Sequence, residues 1–220
     1  VALGLGAFGV YSTWAAWVNA YYEWGPYLSP FYSPLFHPSW LPVWISPAFL
    51  ILGAPLGFRG TCYYYRKAYY RAFWLSPPAC AVPDGHTRYT GETRFPLIGQ
   101  NIHRYFFYAA VVISLINTWD AIRAFHSPQG FGFGLGNVIL VANVVLLWAY
   151  TVSCHSCRHA IGGRLNHFSR HPMRYKAWTL VSRLNHSHAK FAWISLFGVA
   201  LTDYYVYLLA TGAFSDPRFF

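Results

Sequence analysis

Residues 153–159 read S-C-H-S-C-R-H and directly follow the uncharged apolar run V-L-L-W-A-Y-T-V. Two cysteines, Cys154 and Cys157, and two histidines, His155 and His159, fall within this short stretch. Thiolates and imidazoles are the ligands of many zinc and iron–sulfur centres. The stretch is therefore a candidate metal-binding segment.

Helical geometry limits what these four side chains can do together. If the preceding helix continues through residue 159, each residue turns by about 100° around its axis. Cys154 and Cys157 then share one face, while His155 and His159 share another, with the midpoints of the two pairs roughly 150° apart. One small site cannot use all four side chains unless the helix breaks.

The arrangement that we favour uses the histidines as a pair. His155 and His159, four residues apart on a helix, would bind one metal ion, and thiolates would come from Cys62 and Cys80 in another segment. Two thiolates with two imidazoles suit either zinc or a Rieske-type [2Fe-2S] centre, in which one iron has Cys ligands and the other His ligands.

Two other ligand sets remain open. Cys154 and Cys157 could bind one iron, with a histidine brought from His103 or His188 near the ends of other helices. A helix break at Ser156 would instead turn C-R-H into a compact ligand unit.

The elements that position these residues are membrane spans. The chain has 220 residues, of which 55% are hydrophobic and only 10% charged, which is unlike a soluble domain. We therefore predict an all-α integral membrane protein, a single transmembrane domain over residues 1–220 built as a bundle of five transmembrane helices. The predicted spans are 3–21, 43–59, 105–122, 137–154 and 191–212. Since the only methionine is Met173, we also expect a segment to precede Val1.

Positive charge is concentrated in two windows, residues 59–104 and 158–190, which together hold all but two of the 16 lysines and arginines. With five spans, both windows lie on the same side of the membrane. The positive-inside rule predicts that they are cytoplasmic. Their charge therefore reflects topology and a docking surface rather than a nucleic-acid partner.

All four cysteines fall on this cytoplasmic side in the predicted topology. A reducing compartment disfavours structural disulfides. We therefore interpret the cysteines as ligands.

Several stretches of the chain resemble a known family. They are T-C-Y-Y-Y-R-K-A-Y-Y-R-A-F-W-L-S-P-P-A-C-A-V (61–82), G-E-T-R-F-P-L-I (91–98), S-C-H-S-C-R-H (153–159) and F-A-W-I-S-L-F (191–197). The chain resembles the membrane-anchor subunit, of the cytochrome b or SdhC type, of an actinobacterial succinate dehydrogenase. The resemblance is to the mycobacterial class, whose five-span anchor carries a Rieske-type cluster.

The resemblance implies a place in respiratory complex II in the inner (plasma) membrane of a bacterium. The expected partners are a flavoprotein subunit that oxidises succinate, an iron–sulfur subunit that relays electrons, and membrane lipids. This chain would pass the electrons through a [2Fe-2S] centre to a quinone, with menaquinone expected, and would not be catalytic alone.

A quinone site needs an apolar slot with a few polar groups for the carbonyls and protons. The candidates for quinone binding all lie near the cytoplasmic ends of spans: Tyr65, Arg66, Tyr69, His103, Arg104, His188, Lys190 and Trp193. Asp120 and Asp203, toward the outer side, are candidates for proton passage. Asp120 could also pair with Arg123, one turn on.

Two other functions fit parts of the pattern. The first is a membrane di-iron oxygenase or desaturase, because two H-x-x-x-H boxes are followed by an H-x-H pair within 34 residues. The six histidines are His155, His159, His167, His171, His186 and His188. The second is an anchor holding haem b between histidines of two helices. The histidines available for it are His103 with His155 or His188, and His37 with His126. An anchor with zinc or no metal is the plainest alternative.

Overall fold

The structure is a computed structural model that describes residues 1–36, 38–42, 44–75, 93, 97–127, 130–163 and 165–220. The helices within these residues are α1 (Ala2–Val18), α2 (Ala48–Thr61), α3 (Tyr63–Phe73), α4 (His103–Arg123), α5 (Leu135–Val152), α6 (His155–Gly162), α7 (Pro172–His186) and α8 (His188–Ala210). Two small antiparallel hairpins lie between helices: β1 (Glu23–Trp24) with β2 (Tyr27–Leu28), and β3 (His126–Ser127) with β4 (Gly130–Phe131).

The prediction of an all-α membrane protein is confirmed. In the described part of the chain, three helical segments are long and apolar enough to cross a bilayer: Ile98–Arg123, Leu135–Val152 and His188–Ala210. The helix α2 is apolar but has only 14 residues, and α1 has 17. A bundle of five spans stays a prediction.

The helix α2 packs against α4 and α5 packs against α8, and we call these the two helix pairs. The helix α4 packs just as extensively against α5, so the two pairs are joined along their length. Small side chains allow the close approach: Ala110 of α4 and Ala192 and Ser195 of α8 are fully or almost fully buried. This use of small residues is typical of helix packing in membranes, where apolar surface alone gives little driving force.

The helices α2 and α5 both end at a cysteine. Cys62 separates α2 from α3, and Cys154 separates α5 from α6. The helix therefore does not continue unbroken through residue 159. The break lies at Ser153 and Cys154, before the alternative break considered at Ser156. The Cys154 sulfur accepts a hydrogen bond from the Ser156 backbone N–H, so it caps the new helix.

We call this end of the bundle the cysteine end, and the opposite end, which carries Asp120 and Asp203, the carboxylate end. There the segment between α1 and α2 is held by hydroxyl–carboxylate hydrogen bonds. Asp203 accepts from Tyr11 at 2.5 Å and from Ser29, and Asp120 accepts from Ser33 at 2.6 Å. These two carboxylates therefore fix a connection between helices.

A third carboxylate, Asp216, ties the C-terminal segment to the same region. It accepts hydrogen bonds from the hydroxyls of Tyr27 at 2.8 Å and Tyr205 at 2.7 Å, and from the Gly136 N–H at 2.9 Å. The Arg218 Nε lies 3.4 Å from Oδ2, the oxygen that also accepts from Tyr27. The carboxylate end is thus closed by buried polar contacts.

Replacing Gly136 by alanine is expected to destabilise the carboxylate end. An added Cβ would lie 2.4 Å from the ring of Tyr27, which is only 1% exposed and cannot move aside. Such overpacking costs about 1–3 kcal/mol of stability. The measurement is the temperature at which the detergent-solubilised complex loses this subunit on native gels.

The matched control is Gly53→Ala in α2, where an added Cβ meets nothing within 4 Å. It should be neutral or slightly stabilising, because alanine favours a helix over glycine by about 1 kcal/mol. Equal losses for the two variants would contradict the role given to Gly136.

Candidate metal centre

Two cysteines are buried at matching positions of the fold. Cys62 is 2% exposed and Cys154 is 1% exposed. Both have extended backbones, with φ −63° and ψ 128° for Cys62 and φ −67° and ψ 148° for Cys154. Each cysteine stands at a junction between two helices, so a helix on either side in the sequence fixes its backbone position.

Each cysteine faces a histidine from the other helix pair. His188, the first residue of α8, places its Nε2 3.4 Å from the Cys62 Sγ. His103, the first residue of α4, places its Nε2 3.2 Å from the Cys154 Sγ. The sulfur–imidazole contacts thus run between the two helix pairs.

The other ring nitrogen of each histidine meets a hydroxyl group. The His103 Nδ1 lies 2.8 Å from the Thr61 Oγ1, and the His188 Nδ1 lies 2.8 Å from the Ser153 Oγ. Both hydroxyls already donate their hydrogen to a backbone carbonyl. Thr61 donates to the Gly57 carbonyl, and Ser153 donates to the Tyr150 carbonyl.

A hydroxyl whose hydrogen is already donated can only accept from the imidazole. Nδ1 therefore carries the proton in both histidines, and the Nε2 lone pair points toward the sulfur. This is the tautomer that a metal-ligating histidine needs when it binds through Nε2.

Aromatic rings fix the orientation of both imidazoles. Phe58 stacks on His103 with 5.0 Å between centroids and 5° between planes. Tyr150 stacks on His188 at 5.0 Å and 14°. Each ring belongs to the residue four positions before a cysteine.

The two half-sites therefore share a short sequence pattern. Residues 58–62 read F-R-G-T-C and residues 150–154 read Y-T-V-S-C, so an aromatic residue, a hydroxyl residue and a cysteine recur at the same spacing. Both histidines begin H-x-x-F, at 103–106 and 188–191. Thr61 and Ser153 were not among the predicted site residues. The repeat is the signal in the sequence that marks both of them.

A buried arginine adds positive charge next to the cysteines. Arg59 is 9% exposed and donates to the Tyr65 hydroxyl at 2.8 Å, the Ala192 carbonyl at 3.1 Å and the Ser195 Oγ at 3.0 Å. Its guanidinium lies 4.5 Å from the centroid of the Tyr150 ring. No carboxylate among the described residues pairs with it, so its charge favours an anionic group nearby.

A cavity of about 610 Å³ opens beside the two sulfur–imidazole pairs. Its lining includes all four of these side chains and the basic residues Arg66, Lys67 and Arg104, and none of its described lining residues is acidic. Because its described lining is basic, the cavity favours an anionic ligand.

The donors come as two pairs and not as one cluster. Within the described ranges, no three His, Cys, Asp or Glu side chains converge closely enough for one metal ion. A single zinc with three or four protein ligands is therefore not favoured. Each pair offers two donors, which is the number of protein ligands that each metal of a bridged two-metal centre would need.

Comparison with known proteins identifies the chain. Residues 1–212 match the family described as actinobacterial succinate dehydrogenase subunit SdhC. The chain belongs to this family. No curated protein matches it. Among solved structures it is similar to a chain of the Mycobacterium smegmatis Sdh1 complex in the apo form, at 58% identity and a TM-score of 0.90, covering 99% of this chain and 88% of that one.

This SdhC is thus a membrane subunit of succinate dehydrogenase, and the predicted family is confirmed. It acts as part of the complex, with the other subunits as its partners.

The structure brings together only some of the predicted ligands. The histidines that we favoured, His155 and His159, line the same cavity as the two sulfur–imidazole pairs but are exposed. The His159 Nδ1 lies 2.5 Å from the Arg104 Nη2. Cys157 is half-buried, and Cys80 lies outside the described residues. The side chains that meet are Cys62 and Cys154 with His103 and His188. Cys62 belongs to the ligand set that we favoured, and the other three belong to the alternative set.

Three of the predicted quinone ligands are engaged in contacts near the two sulfur–imidazole pairs. The Tyr65 hydroxyl donates to the Ala192 carbonyl at 2.5 Å, and the Tyr69 hydroxyl donates to the Gly60 carbonyl at 3.0 Å. The guanidinium of Arg66 lies 4.6 Å from the centroid of the Tyr63 ring. These contacts give Tyr65, Tyr69 and Arg66 roles in local packing.

Trp193 stands at the edge of the same cluster. Its Nε1 donates to the Tyr64 hydroxyl at 2.7 Å, and its ring packs 6.2 Å from that of Tyr65. Lys190 is exposed one turn earlier. Tyr64 was not predicted as a site residue, because aromatic residues are too frequent in this chain to single one out.

Thiol labelling should separate the buried cysteines from Cys157. Burial raises the pKa of the Cys154 thiol to about 12, so at pH 8 almost none of it is the reactive thiolate. Burial also raises the pKa of Cys157, but this side chain is half-buried and accessible. In metal-depleted complex, iodoacetamide should label Cys157 first, as measured by mass spectrometry.

Labelling of Cys154 should increase only as the pH approaches its raised pKa, because deprotonation must come first. Equal labelling rates for Cys154 and Cys157 at pH 8 would contradict the burial described for Cys154. A denatured sample, in which the cysteines should react alike, is the control.

Proposed function

We propose that SdhC holds a [2Fe-2S] centre through Cys62, Cys154, His103 and His188 and uses it to pass electrons to a quinone. The observation that carries this proposal is the pair of sulfur–imidazole contacts, at 3.4 Å and 3.2 Å between Sγ and Nε2. Such a centre supplies one-electron transfer. This ligand set replaces the histidine pair His155 and His159.

The position of the site suits electron entry from a docked partner. The cysteine end carries the amphipathic helices α3, α6 and α7, which hold most of the described basic residues. We propose that this face is cytoplasmic and binds the iron–sulfur subunit, which in turn binds the flavoprotein that oxidises succinate. The positive-inside rule supports this orientation in a bacterial inner membrane.

The buried arginine supports a redox role for the site. A reduced iron–sulfur centre with two thiolate ligands carries additional negative charge, which is costly in an apolar interior. Arg59 provides a fixed positive charge beside Tyr150 and Tyr65 in the same buried cluster as Cys62.

The quinone is proposed to bind beside Tyr64 and Trp193. The Tyr64 hydroxyl accepts from the Trp193 Nε1, and among the described residues no acceptor takes its own proton. That O–H is free to donate to a quinone carbonyl. Ile194 and Phe197 on the same helix are 51% and 46% exposed, and they give an apolar surface for an isoprenoid tail such as that of menaquinone.

The geometry is less suited to haem b. Two axial histidines must point their Nε2 atoms at one iron from opposite sides of the porphyrin. In SdhC each of these Nε2 atoms lies against a cysteine sulfur instead. His126 is exposed and His37 lies outside the described residues.

The di-iron oxygenase alternative is less suited to the geometry as well. Five of its six histidines are exposed: His155, His159, His167, His171 and His186. Only His188 is buried, and it faces Cys62.

Replacing any one of the four proposed ligands should remove the centre. The variants are Cys62→Ser, Cys154→Ser, His103→Gln and His188→Gln. Each should lose the electron paramagnetic resonance signal of the centre and two irons per complex. Quinone reduction should fall by more than about 100-fold, since loss of even an outer-shell partner costs about 10- to 100-fold.

The matched controls are Cys157→Ser and the double variant His155→Ala with His159→Ala, which alter neighbouring residues of the same helix. Both should keep the iron and the signal. If the double variant lost the signal while His103→Gln and His188→Gln kept it, the proposed ligand set would be wrong.

Replacing Tyr64 by phenylalanine should affect quinone reduction alone. It removes the free O–H donor but keeps the ring, so the rate with a menaquinone analogue should fall about 10- to 100-fold, the usual range for one proton donor. Succinate oxidation with an artificial acceptor at the flavoprotein should be unchanged. Tyr63→Phe, one residue away and exposed, is the control. Equal quinone rates for Tyr64→Phe and wild type would argue against this site.

A further inference from the structure

A second cavity, of about 310 Å³, lies between α6 and α7. Its lining combines the nitrogen-bearing side chains of His155, Arg158 and His159 with the rings of Phe168 and Trp178. None of its described lining residues is acidic. We call this cavity the α6–α7 pocket. The function proposed above gives no role to Arg158 or to the two aromatic rings.

Arg158 is held in place but has no polar partner in the described part of the chain. Its guanidinium lies 4.7 Å from the centroid of the Trp178 ring, a cation–π contact that fixes the planar group. The N–H donors of a guanidinium form a fork that matches two oxygens of a phosphate. A fixed guanidinium that lines a cavity with unused donors therefore favours a phosphate group as the ligand.

Arg104 and His159 add a second donor to the pocket. The Arg104 Nη2 lies 2.5 Å from the His159 Nδ1. Since a guanidinium only donates, Nδ1 accepts, and the proton of the neutral imidazole is on Nε2. His159 can therefore donate from Nε2 to an anion in the pocket that it lines.

Close packing of α6 on α7 fixes the apolar part of the pocket. A Cβ added at Gly162 would lie 2.5 Å from the Trp178 ring, so only glycine allows this approach. The Phe168 ring packs 5.1 Å from that of Trp178. Arg174 of α7 donates from Nε to the Ile161 carbonyl at 2.8 Å and ties the two helices together. The pocket thus offers positive charge beside rigid apolar surface.

The pocket lies where two membrane helices end. The helix α5 ends at Val152, two residues before α6, and α7 ends at His186, just before α8. Both α5 and α8 are long and apolar enough to cross a bilayer. The α6–α7 pocket is therefore at the depth of the lipid headgroups. Basic pockets between membrane helices at this depth are typical binding sites for anionic lipid headgroups.

We infer that the α6–α7 pocket binds the phosphate headgroup of an anionic membrane lipid. The surface of α7 favours a lipid over an acidic segment of a partner protein. Four exposed residues recur there at helical spacing: Met173, Lys176, Leu180 and Arg183. Helices that lie in the membrane interface expose apolar side chains together with lysine and arginine in this way.

Binding of dioleoyl phosphatidylglycerol to the delipidated succinate dehydrogenase complex in detergent tests this inference. Native mass spectrometry counts the bound lipids during a titration. Arg158→Gln should raise the apparent dissociation constant about 5-fold, because one cation near an anionic lipid contributes about 1 kcal/mol. Arg123→Gln, which removes the same charge from the carboxylate end, is the matched control and should bind like the wild type. Equal binding by Arg158→Gln and the wild type would overturn the site.

Two further arms separate the source of the phosphate and the effect of assembly. Dioleoyl phosphatidylcholine and inorganic phosphate should not displace phosphatidylglycerol from the wild-type complex. Displacement by inorganic phosphate at equal concentration would show a site for free anions and overturn the assignment to a lipid. Arg158→Lys keeps the charge and should retain most of the binding. If Arg158→Lys lost as much binding as Arg158→Gln, the loss would reflect altered packing on Trp178, and the role of the charge would be refuted.

Discussion

The contacts between cysteine sulfurs and histidine rings join the two helix pairs at the cysteine end. Cys62 faces His188 of α8, and Cys154 faces His103 of α4, so each contact crosses from one pair to the other. Three features place these four side chains. They are the interruption of the helix at each cysteine, the hydroxyls of Thr61 and Ser153, and the stacked aromatic rings. The site depends on the register of all four long helices at once.

The carboxylate end keeps that register from the other side. Asp120 of α4 and Asp203 of α8 each bind hydroxyls of the segment between α1 and α2, and Asp216 binds Tyr27 of the same segment. One connection therefore contacts helices of both pairs and the C-terminal segment. Because buried hydrogen bonds are strongly directional and costly to lose, they limit sliding of one pair past the other.

The helical framework could be predicted from hydropathy and charge, but the site could only be predicted in part. Long apolar stretches correctly indicated α4, α5 and α8, and the clustered cysteines and histidines made the cysteine end the candidate site. Both members of the favoured pair, His155 and His159, lie on α6, but the helix break that precedes them was not predicted. No glycine or proline marks the break at Cys154, because the break is stabilised by the cysteine sulfur as a cap and by the Ser153 hydroxyl. Glycine and proline signals therefore do not predict where the helix breaks. The repeated pattern of an aromatic residue, a hydroxyl residue and a cysteine, at 58–62 and 150–154, does mark the position.

The buried guanidinium of Arg59 places a positive charge beside Tyr150 and Tyr65, where no described carboxylate pairs with it. With the proposed centre at the cysteine end, an arriving electron would meet this countercharge and would not have to draw a proton into the apolar core. Electron storage and proton delivery would then take place at separate points of the subunit, with protons needed only where a reduced acceptor meets the membrane surface.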